Sequence, residues 1–328
     1  MSSDIVLEGR NLTKFFAAGS TRWLGRPTGH VQAVDDVSFQ LRRGTTLGIV
    51  GESGCGKSTL ARVMTRLLEP DSGSLLLDGQ DVTQLHGKRL RNFRRRAQIV
   101  FQDPYSSLNP RHSVGHIIST PMRVQGIEPI HGVKSRVQEL MEIVGLNPEH
   151  YNRFPHEFSG GQRQRIGIAR ALSLDPDIVV ADEPVSALDV SIQAQILNLM
   201  RRLQSDLGLS YVFIAHDLSV VRRISDDVAV MYLGKVVESG PAESLYASPR
   251  HPYTKTLLSA VPVADPVRAK DHKRIILSGE VPSPIAPPSG CRFRTRCWKA
   301  QEVCASTEPP LDDIGSNRRL ACHFPEEV

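Results

Sequence analysis

Short apolar runs and amphipathic segments alternate along much of the chain. Continuous apolar runs of strand length, typical of strands covered on both faces, occur at residues 46–50, 99–101, 178–181 and 211–215. Apolar residues at helical spacing follow the first run, where Leu60, Val63 and Leu67 predict a helix over residues 57–68. This alternation predicts an α/β domain built on a parallel sheet.

Other segments depart from the alternation. Residues 5–7 and 37–41 predict short strands ahead of the first buried run, and the Gly- and Arg-containing stretch 17–30 between them predicts an exposed insertion. From residue 114 to residue 172 the strand patterns give way to helical spacing. We therefore expect a helical insertion within the α/β domain.

The last third of the chain changes character again. Residues 228–237 predict a closing hairpin that turns at Gly234 and Lys235. From Pro249 onward the chain becomes rich in proline, most densely over residues 281–288. This composition predicts a small appended domain or an extended tail.

Length and composition restrict the class of protein. A chain of 328 residues, of which 40% are hydrophobic, can bury a full core and holds more than one domain. No apolar run is long enough to span a bilayer, and the first residues lack the pattern of a signal segment. The sequence therefore predicts a cytoplasmic protein, either soluble or peripheral to a membrane.

Charge adds little to this picture. The net charge of +5 suits a membrane surface or a nucleic acid, and decides for neither. Within the basic stretch at residues 88–96, five arginines could bind phosphate backbones or anionic lipid. The solvated face of a helix explains the same run, and we favour that interpretation.

Residues 51–58 have the sequence Gly-Glu-Ser-Gly-Cys-Gly-Lys-Ser, which is the G-x-x-x-x-G-K-[ST] pattern of a phosphate-binding loop. We call this segment the glycine-rich loop. Its glycines let backbone N–H groups turn inward around phosphate oxygens, and the following helix adds positive charge at its N-terminus. A turn that merely resembles the motif is the alternative, and the strand before and helix after the loop argue against it. The residues expected to contact the nucleotide are Gly51, Ser53, Gly54, Cys55, Gly56, Lys57, Ser58 and Thr59.

Further polar residues follow the other buried runs directly. They are Gln102, the pair Asp182 and Glu183, and His216. Ligands of parallel α/β sheets bind beyond the carboxyl ends of the strands, so these side chains are expected to converge on the glycine-rich loop.

Hydrolysis of ATP needs a metal ion, charge neutralisation at the γ-phosphate and a positioned water. We expect Lys57 to reach the β- and γ-phosphates, and Ser58 to ligate Mg²⁺ with Asp182, which acts directly or through water. Glu183 is expected to take a proton from the attacking water or to orient it. Gln102 is expected to contact the metal and the water, and His216 to bond the γ-phosphate. A packed or surface imidazole is the alternative for His216.

Two more segments suggest nucleotide contacts. Ser159 is a good N-cap, and Gly160 and Gly161 after it expose backbone N–H groups at a second anion-binding helix terminus, followed by Gln162. Near the N-terminus, an aromatic residue at position 15 or 16 could stack on the base or pack in the core. We favour Phe16 for stacking.

In this order, the motifs resemble the ATP-binding subunits of ABC transporters. The Ser-Gly-Gly-Gln stretch at 159–162 is the discriminating element, because P-loop ATPases in general lack it. The resemblance covers the first three quarters of the chain. It implies a P-loop NTPase with a RecA-like parallel sheet core, an antiparallel β subdomain and a helical subdomain at about 104–172, all within a nucleotide-binding domain at 1–248.

The same resemblance implies a head-to-tail dimer of such domains with two ATP molecules between them. The glycine-rich loop of one subunit would face Ser159 of the other, with Asp189 at the interface. The loop after Gln102 and the helical insertion are expected to touch membrane-spanning partners. Phe158, where many relatives have leucine, is a mild departure from the pattern.

The tail narrows the resemblance. Residues 249–328, with His251-Pro252-Tyr253 and four later cysteines, resemble the C-terminal extension of oligopeptide and dipeptide importers. This implies an ATPase on the cytoplasmic face of the bacterial inner membrane that powers peptide import. Its expected partners are a homologous, non-identical ATPase, two permeases and, indirectly, an extracytoplasmic peptide-binding protein. Nucleic acid is not expected.

Two alternatives remain open. Close relatives serve nickel and other small solutes, so an importer of such a cargo is the first. A soluble ABC ATPase that acts on nucleic acid is the second. It is disfavoured because neither a second ATPase domain nor a long coiled-coil insertion is visible in the chain.

The cysteines are unevenly placed. Cys55 lies in the glycine-rich loop, where its small size explains it, and four others lie near the C-terminus, namely Cys291, Cys297, Cys304 and Cys322. They lack the paired C-x-x-C typical of structural zinc. The family resemblance implies a [4Fe–4S] cluster there, with His323 as a substitute ligand. Reduced cysteines that pack a small irregular domain are the alternative.

Overall fold

A computed structural model describes residues 4–18, 29–103, 107–261 and 274–327. The strands are β1 (Ile5–Ala18), β2 (Gly29–Arg42), β3 (Thr46–Val50), β4 (Ser72–Leu77), β5 (Gln80–Asp81), β6 (Ala97–Val100), β7 (Ile178–Asp182), β8 (Ser210–Ala215), β9 (Asp227–Tyr232), β10 (Lys235–Pro241), β11 (Asp312–Asp313) and β12 (Arg319–Leu320). The helices are α1 (Lys57–Met64), α2 (Gly87–Arg96), α3 (Val114–Gln125), α4 (Gly132–Ile143), α5 (Gly160–Leu172), α6 (Val190–Leu207), α7 (Leu218–Ile224), α8 (Ala242–Ala247), α9 (Pro252–Ser259) and α10 (Glu302–Ser306).

The main sheet has the strand order β11-β12-β10-β9-β3-β8-β7-β6. The five strands from β9 to β6 are parallel, and every residue of β3, β7 and β8 is buried. This burial explains why their sequences are continuous apolar runs rather than alternating ones. The carboxyl ends of the parallel strands therefore meet at one edge of the sheet.

The main sheet separates two apolar cores. Along β8, Tyr211 and Phe213 pack into one core, while Val212 and Ile214 pack into the other. Successive residues of a strand point to opposite faces, so one strand serves both cores. Truncating a fully buried aromatic such as Phe213 to alanine would cost about 3–5 kcal/mol.

The second sheet is antiparallel, with the order β2-β1-β4-β5. Its long strands β1 and β2 pair with each other, and their register shifts near Asn11 and Asp36, which both have positive φ. Each strand has 14 residues, so the short strands predicted at 5–7 and 37–41 were too short. The polar ends of β1 and β2 show no apolar pattern in the sequence, but they pair with one another in the sheet. Residues 19–28 of the predicted insertion lie outside the described residues.

Helices α3, α4 and α5 form the predicted helical insertion. Ser113 accepts a hydrogen bond from the His116 N–H and caps α3, which ends at Gly126 in the left-handed region. The three helices pack on each other, and α5 also packs on α6 and on β6, the edge strand of the main sheet. Leu140 and Ile166 are buried in their shared core.

Helix α1 ends earlier than the periodicity predicts. It stops at Met64, and the prediction of a helix to residue 68 was wrong. Arg66 has φ +53, and its buried guanidinium donates to the Val82 carbonyl, which turns the chain out of the helix. Leu67 is accordingly 44% exposed.

The C-terminal segment returns to the main sheet. Strand β12 pairs antiparallel with β10, so this segment extends the sheet edge. In β10, the fully buried Glu238 accepts hydrogen bonds from the backbone N–H groups of Arg250 and His251 and from the Arg318 side chain. These contacts join the start and the end of the segment to the hairpin of β9 and β10. The hairpin is as predicted, but it turns at Leu233 and Gly234, one residue earlier than expected, because Lys235 already pairs with Tyr232.

Candidate functional site

The glycine-rich loop connects β3 to α1 at the carboxyl edge of the main sheet. Gly56 has φ +107, and a Cβ added there would lie 1.8 Å from the Ala33 carbonyl oxygen. Only glycine fits this conformation and this close approach. The loop is tied to the β9–β10 turn, because the Gly234 N–H donates to the Cys55 carbonyl.

Lys57 lies inside the loop rather than in solvent. Its ammonium donates to the carbonyls of Gly51 at 2.8 Å and Glu52 at 2.9 Å, and it lies 3.8 Å from the Cys55 sulfur. Burial raises the pKa of the Cys55 thiol, although the Lys57 charge opposes the rise. The loop therefore presents a fixed ammonium beside a neutral thiol.

The Ser58 hydroxyl donates a 3.0 Å hydrogen bond to Asp182 Oδ1 at the end of β7. Asp182 is only 4% exposed. Burial raises the pKa of its carboxyl, and the neighbouring Glu183 charge adds to the rise, while the Ser58 hydrogen bond opposes it. A half-buried hydroxyl and a buried carboxylate at this spacing offer the hard oxygen ligands that Mg²⁺ prefers.

Glu183 follows directly and receives two contacts from the adjoining strand ends. The Gln102 amide donates to Glu183 Oε2 at 2.8 Å, and His216 Nδ1 lies 3.5 Å from the same oxygen. Glu183 has φ +45, a strained conformation for a residue with a Cβ. Its carbonyl is held by the Ser186 N–H and hydroxyl. The structure therefore brings all four predicted strand-end residues together.

The second predicted helix terminus is at the start of α5. Ser159 Oγ accepts from the Gln162 N–H, and Gln162 Oε1 accepts from the Ser159 N–H, which forms a capping box. Ser159 and Gln162 are exposed, and Gly160 and Gly161 are half-buried. Asp189 is exposed at the N-terminus of α6.

The remaining candidates lie in the glycine-rich loop, in the first turn of α1 or on β1. Ser53 and Gly54 are exposed at the loop tip, and Thr59 is half-buried in the first turn of α1. Phe16 is 37% exposed, and the Lys14 ammonium lies 5.8 Å from the centre of its ring. Phe15 is half-buried.

The C-terminal segment also contacts the glycine-rich loop, which the sequence did not predict. The Glu52 N–H donates to the Tyr253 hydroxyl at 2.9 Å, and Arg296 Nη1 donates to Glu52 Oε2 at 2.8 Å. Arg296 is 244 positions from Glu52 in the chain. No local spacing pattern indicates a pairing at this separation.

The four C-terminal cysteines line one small cavity, together with His251 and His323. Burial raises the pKa of the Cys322 thiol to about 12, and the other three cysteines add to the rise. His323 Nε2 lies 3.0 Å from the Thr307 carbonyl oxygen. In the part of the chain that the structure describes, no group of three or more His, Cys, Asp or Glu residues is arranged to hold a metal ion. The structure therefore does not support the predicted iron–sulfur cluster.

The predicted basic stretch is helical. Residues 87–96 form α2, in which Arg94 donates to the Arg66 carbonyl and Arg96 pairs with Asp78 and Asp177. These arginines thus bind groups of the protein itself.

Among the described helices, none is both long and apolar enough to cross a bilayer.

The parallel sheet, the glycine-rich loop and the acidic pair at the end of β7 define an ATP-binding cassette of the P-loop class. An ABC transporter family model matches residues 34–186, and one for the C-terminal region of oligopeptide/dipeptide transporters matches residues 237–304. The oligopeptide transport ATP-binding protein AppF of Bacillus subtilis is 51% identical over 324 residues, which cover 98% of each chain. The dipeptide transport ATP-binding protein DppF of Haemophilus influenzae is 54% identical over 292 residues, which cover 89% of each chain. The chain belongs to the oligopeptide/dipeptide family of ABC transporter ATP-binding proteins.

A solved structure supports the same assignment. A dimeric ATP-binding cassette in a post-hydrolysis state, bound to ADP and Pi, is 27% identical and covers 72% of this chain and 98% of its own, with a TM-score of 0.63. The predicted fold class and family are confirmed, and with them an ATPase activity coupled to transport.

Proposed function

We propose that this chain hydrolyses ATP at the carboxyl edge of its main sheet to power the import of dipeptides or oligopeptides. The observation that supports this site best is the position of Glu183. Its carboxylate is held by Gln102 and His216, and the residue before it, Asp182, is bonded to Ser58 of the loop. Strands β6, β7 and β8 are adjacent, so the groups needed at a γ-phosphate meet in one place.

Binding is the first task of these residues. The N–H groups of the glycine-rich loop would take phosphate oxygens, and Lys57, already inside the loop, would bind the β- and γ-phosphates. Ser58 and Asp182 supply the oxygen ligands for Mg²⁺, which would neutralise phosphate charge when bound. The exposed ring of Phe16 would stack on the base.

Hydrolysis is the second task. Glu183 would accept a proton from the attacking water, and Gln102 would orient Glu183 and contact the metal and the water. His216, 57% exposed at the end of β8, would bond the γ-phosphate. The strained backbone of Glu183, pinned through Ser186, keeps the carboxylate aimed at this position.

The site needs a second cassette. The capped N-terminus of α5 at Ser159 is exposed, and so is Asp189. These surfaces suit a head-to-tail dimer in which Ser159, Gly160 and Gly161 of one subunit complete the site of a homologous, non-identical partner. A similar cassette was solved as a dimer, which supports the pairing of two cassettes.

The cargo and the remaining partners follow from the family. The relatives are transport proteins for oligopeptides and dipeptides, which favours peptide over nickel or another solute. We therefore place the chain on the cytoplasmic face of the bacterial inner membrane. It would act with two permeases, which the loop after Gln102 and the helical insertion would contact, and with an extracytoplasmic peptide-binding protein.

The test is Glu183→Gln in the assembled transporter. This variant should bind Mg²⁺ and ATP, accumulate as a closed dimer with ATP trapped, and turn over at least about a hundredfold more slowly, since it lacks the general base. Glu243→Gln is the matched control, because Glu243 is an exposed carboxylate in the first turn of α8, outside the site and the helical insertion. Rapid turnover by Glu183→Gln would contradict the proposed role.

A further inference from the structure

Glu52 is the second residue of the glycine-rich loop, and each of its polar groups has a partner. Its carbonyl accepts from the Lys57 ammonium at 2.9 Å. Its N–H donates to the Tyr253 hydroxyl at 2.9 Å, and its carboxylate accepts from Arg296 at 2.8 Å. The C-terminal segment therefore holds the loop at the residue that also contacts the loop lysine.

The two groups that hold Glu52 are themselves fixed by packing. Tyr253 is fully buried in the first turn of α9, and its ring lies 4.7 Å from that of Tyr232 and 5.3 Å from that of Phe293. The Arg296 guanidinium lies 6.0 Å from the Tyr232 ring centre, and its side chain is 9% exposed. Tyr232 ends β9, the strand beside β3. The contacts to Glu52 are thus anchored to the sheet that supports the loop.

This arrangement has an electrostatic consequence. The Glu52 carboxylate belongs to a loop built to receive a triphosphate, and an unneutralised carboxylate there would repel that ligand. Arg296 neutralises it through a hydrogen-bonded ion pair that is largely shielded from solvent. The pair leaves Lys57 as the uncompensated charge in the loop.

We propose that Arg296 and Tyr253 are positioning residues of the ATP site. Through Glu52 they hold the glycine-rich loop in its binding conformation, and Arg296 neutralises the Glu52 carboxylate. Arg296 and Tyr253 both belong to the C-terminal segment, so this segment takes part in nucleotide binding. The proposal rests on the assignment of the loop to ATP. It adds to that assignment a contribution from outside the nucleotide-binding domain predicted at 1–248.

The test is the steady-state ATPase activity of the assembled transporter with Mg²⁺ and ATP, compared between wild type and Arg296→Ala. Loss of a charged hydrogen bond should raise the KM for ATP by about tenfold and change kcat by less than about threefold. Arg296→Lys keeps the positive charge but lacks the forked guanidinium, so its KM should lie between those of wild type and Arg296→Ala. Tyr253→Phe, which removes only the hydroxyl, should raise KM by about threefold. These two milder variants serve if Arg296→Ala does not fold.

A charge effect is separated from a structural one by rescue. Adding Glu52→Gln to Arg296→Ala removes the exposed charge and should bring KM back to within about threefold of wild type. Lys255→Ala is the control, because it breaks the ion pair of Lys255 with Glu326 within the same segment and should leave KM unchanged. An unchanged KM in folded Arg296 variants, or a double variant no better than Arg296→Ala, would overturn the proposal. Lys57→Ala tests the assignment of the glycine-rich loop to ATP separately from the role of Arg296 and Tyr253. Nucleotide binding that survives Lys57→Ala would refute the loop assignment.

Discussion

The side-chain amide of Gln102 donates a 2.8 Å hydrogen bond to the carboxylate of Glu183 across the carboxyl ends of neighbouring strands. The two residues are 81 positions apart, with the whole helical insertion between them. They meet because β6 and β7 pair in parallel.

Gln102→Ala should slow turnover without much change in ATP affinity. The Glu183 carboxylate would lose its donor, and the fraction of time in which it faces the water would fall. We expect kcat to drop by about ten- to a hundredfold, which is less than for loss of the base itself. Steady-state kinetics check this, with Gln40→Ala as control, since the Gln40 amide donates to Glu8 on the other sheet. A normal kcat would show that Gln102 does not orient the base.

Asp182→Asn should stabilise the nucleotide-free protein while it abolishes Mg²⁺-dependent hydrolysis. Burial raises the pKa of this carboxyl above its usual 3.8, so the folded state binds the proton more tightly than the unfolded state. The free energy of unfolding therefore falls as pH rises from that value through the raised pKa. The amide can still accept from Ser58, and it removes the buried charge.

Thermal unfolding checks the predicted gain in stability of Asp182→Asn. At neutral pH the variant should melt a few degrees higher than wild type, since about 1 kcal/mol shifts Tm by about 2–4 °C in a domain of this size. Below pH 3.8 the difference should shrink, because the wild-type carboxyl is then mostly protonated in both the folded and the unfolded state. A lower Tm for Asp182→Asn at neutral pH would contradict the conclusion that burial of this charge destabilises the folded state.

The sequence predicted the carboxyl edge of the main sheet well, because its information there is local. Apolar runs marked the buried strands, and the polar residue after each run falls at a carboxyl end, as Gln102 and His216 do. The helix after the loop was extended too far, since Arg66 ends it through a contact with Val82. The contacts of Arg296 and Tyr253 with Glu52 depend on how the C-terminal segment folds back, which no periodicity encodes.

Gly56→Ala should abolish nucleotide binding, whereas Gly54→Ala should only weaken it. Both residues have positive φ, which costs a Cβ-bearing residue about 1–2 kcal/mol. A Cβ at Gly56 would also collide with the Ala33 carbonyl, but one at Gly54 meets nothing within 4 Å. The pair thus separates backbone strain from steric exclusion. Binding of a fluorescent ATP analogue measures both, and equal losses would mean that the contact with Ala33 has no importance.

Phe16→Ala should raise the KM for ATP with little change in kcat. Stacking of a base on an aromatic ring contributes about 1–3 kcal/mol, so we expect KM to rise by at least about fivefold. The effect should be smaller for hydrolysis of the bare triphosphate, which has no base to stack. Phe15→Ala is the comparison, because Phe15 is the neighbouring aromatic and is half-buried. A larger KM effect from Phe15→Ala would reassign the stacking residue.

The iron–sulfur prediction can be settled by metal analysis of the whole protein purified without oxygen. The four C-terminal thiols line one cavity, and four cysteine thiolates are the ligands that a [4Fe–4S] cluster takes. In the described part of the chain, however, no group of three or more His, Cys, Asp or Glu residues is arranged to hold a metal ion. The cluster hypothesis predicts brown wild-type protein with about four iron atoms per chain, and loss of both colour and iron in Cys297→Ser. Cys55→Ser, in the glycine-rich loop, should retain them. Colourless, iron-free wild-type protein would leave the cysteines as packing residues of the C-terminal segment.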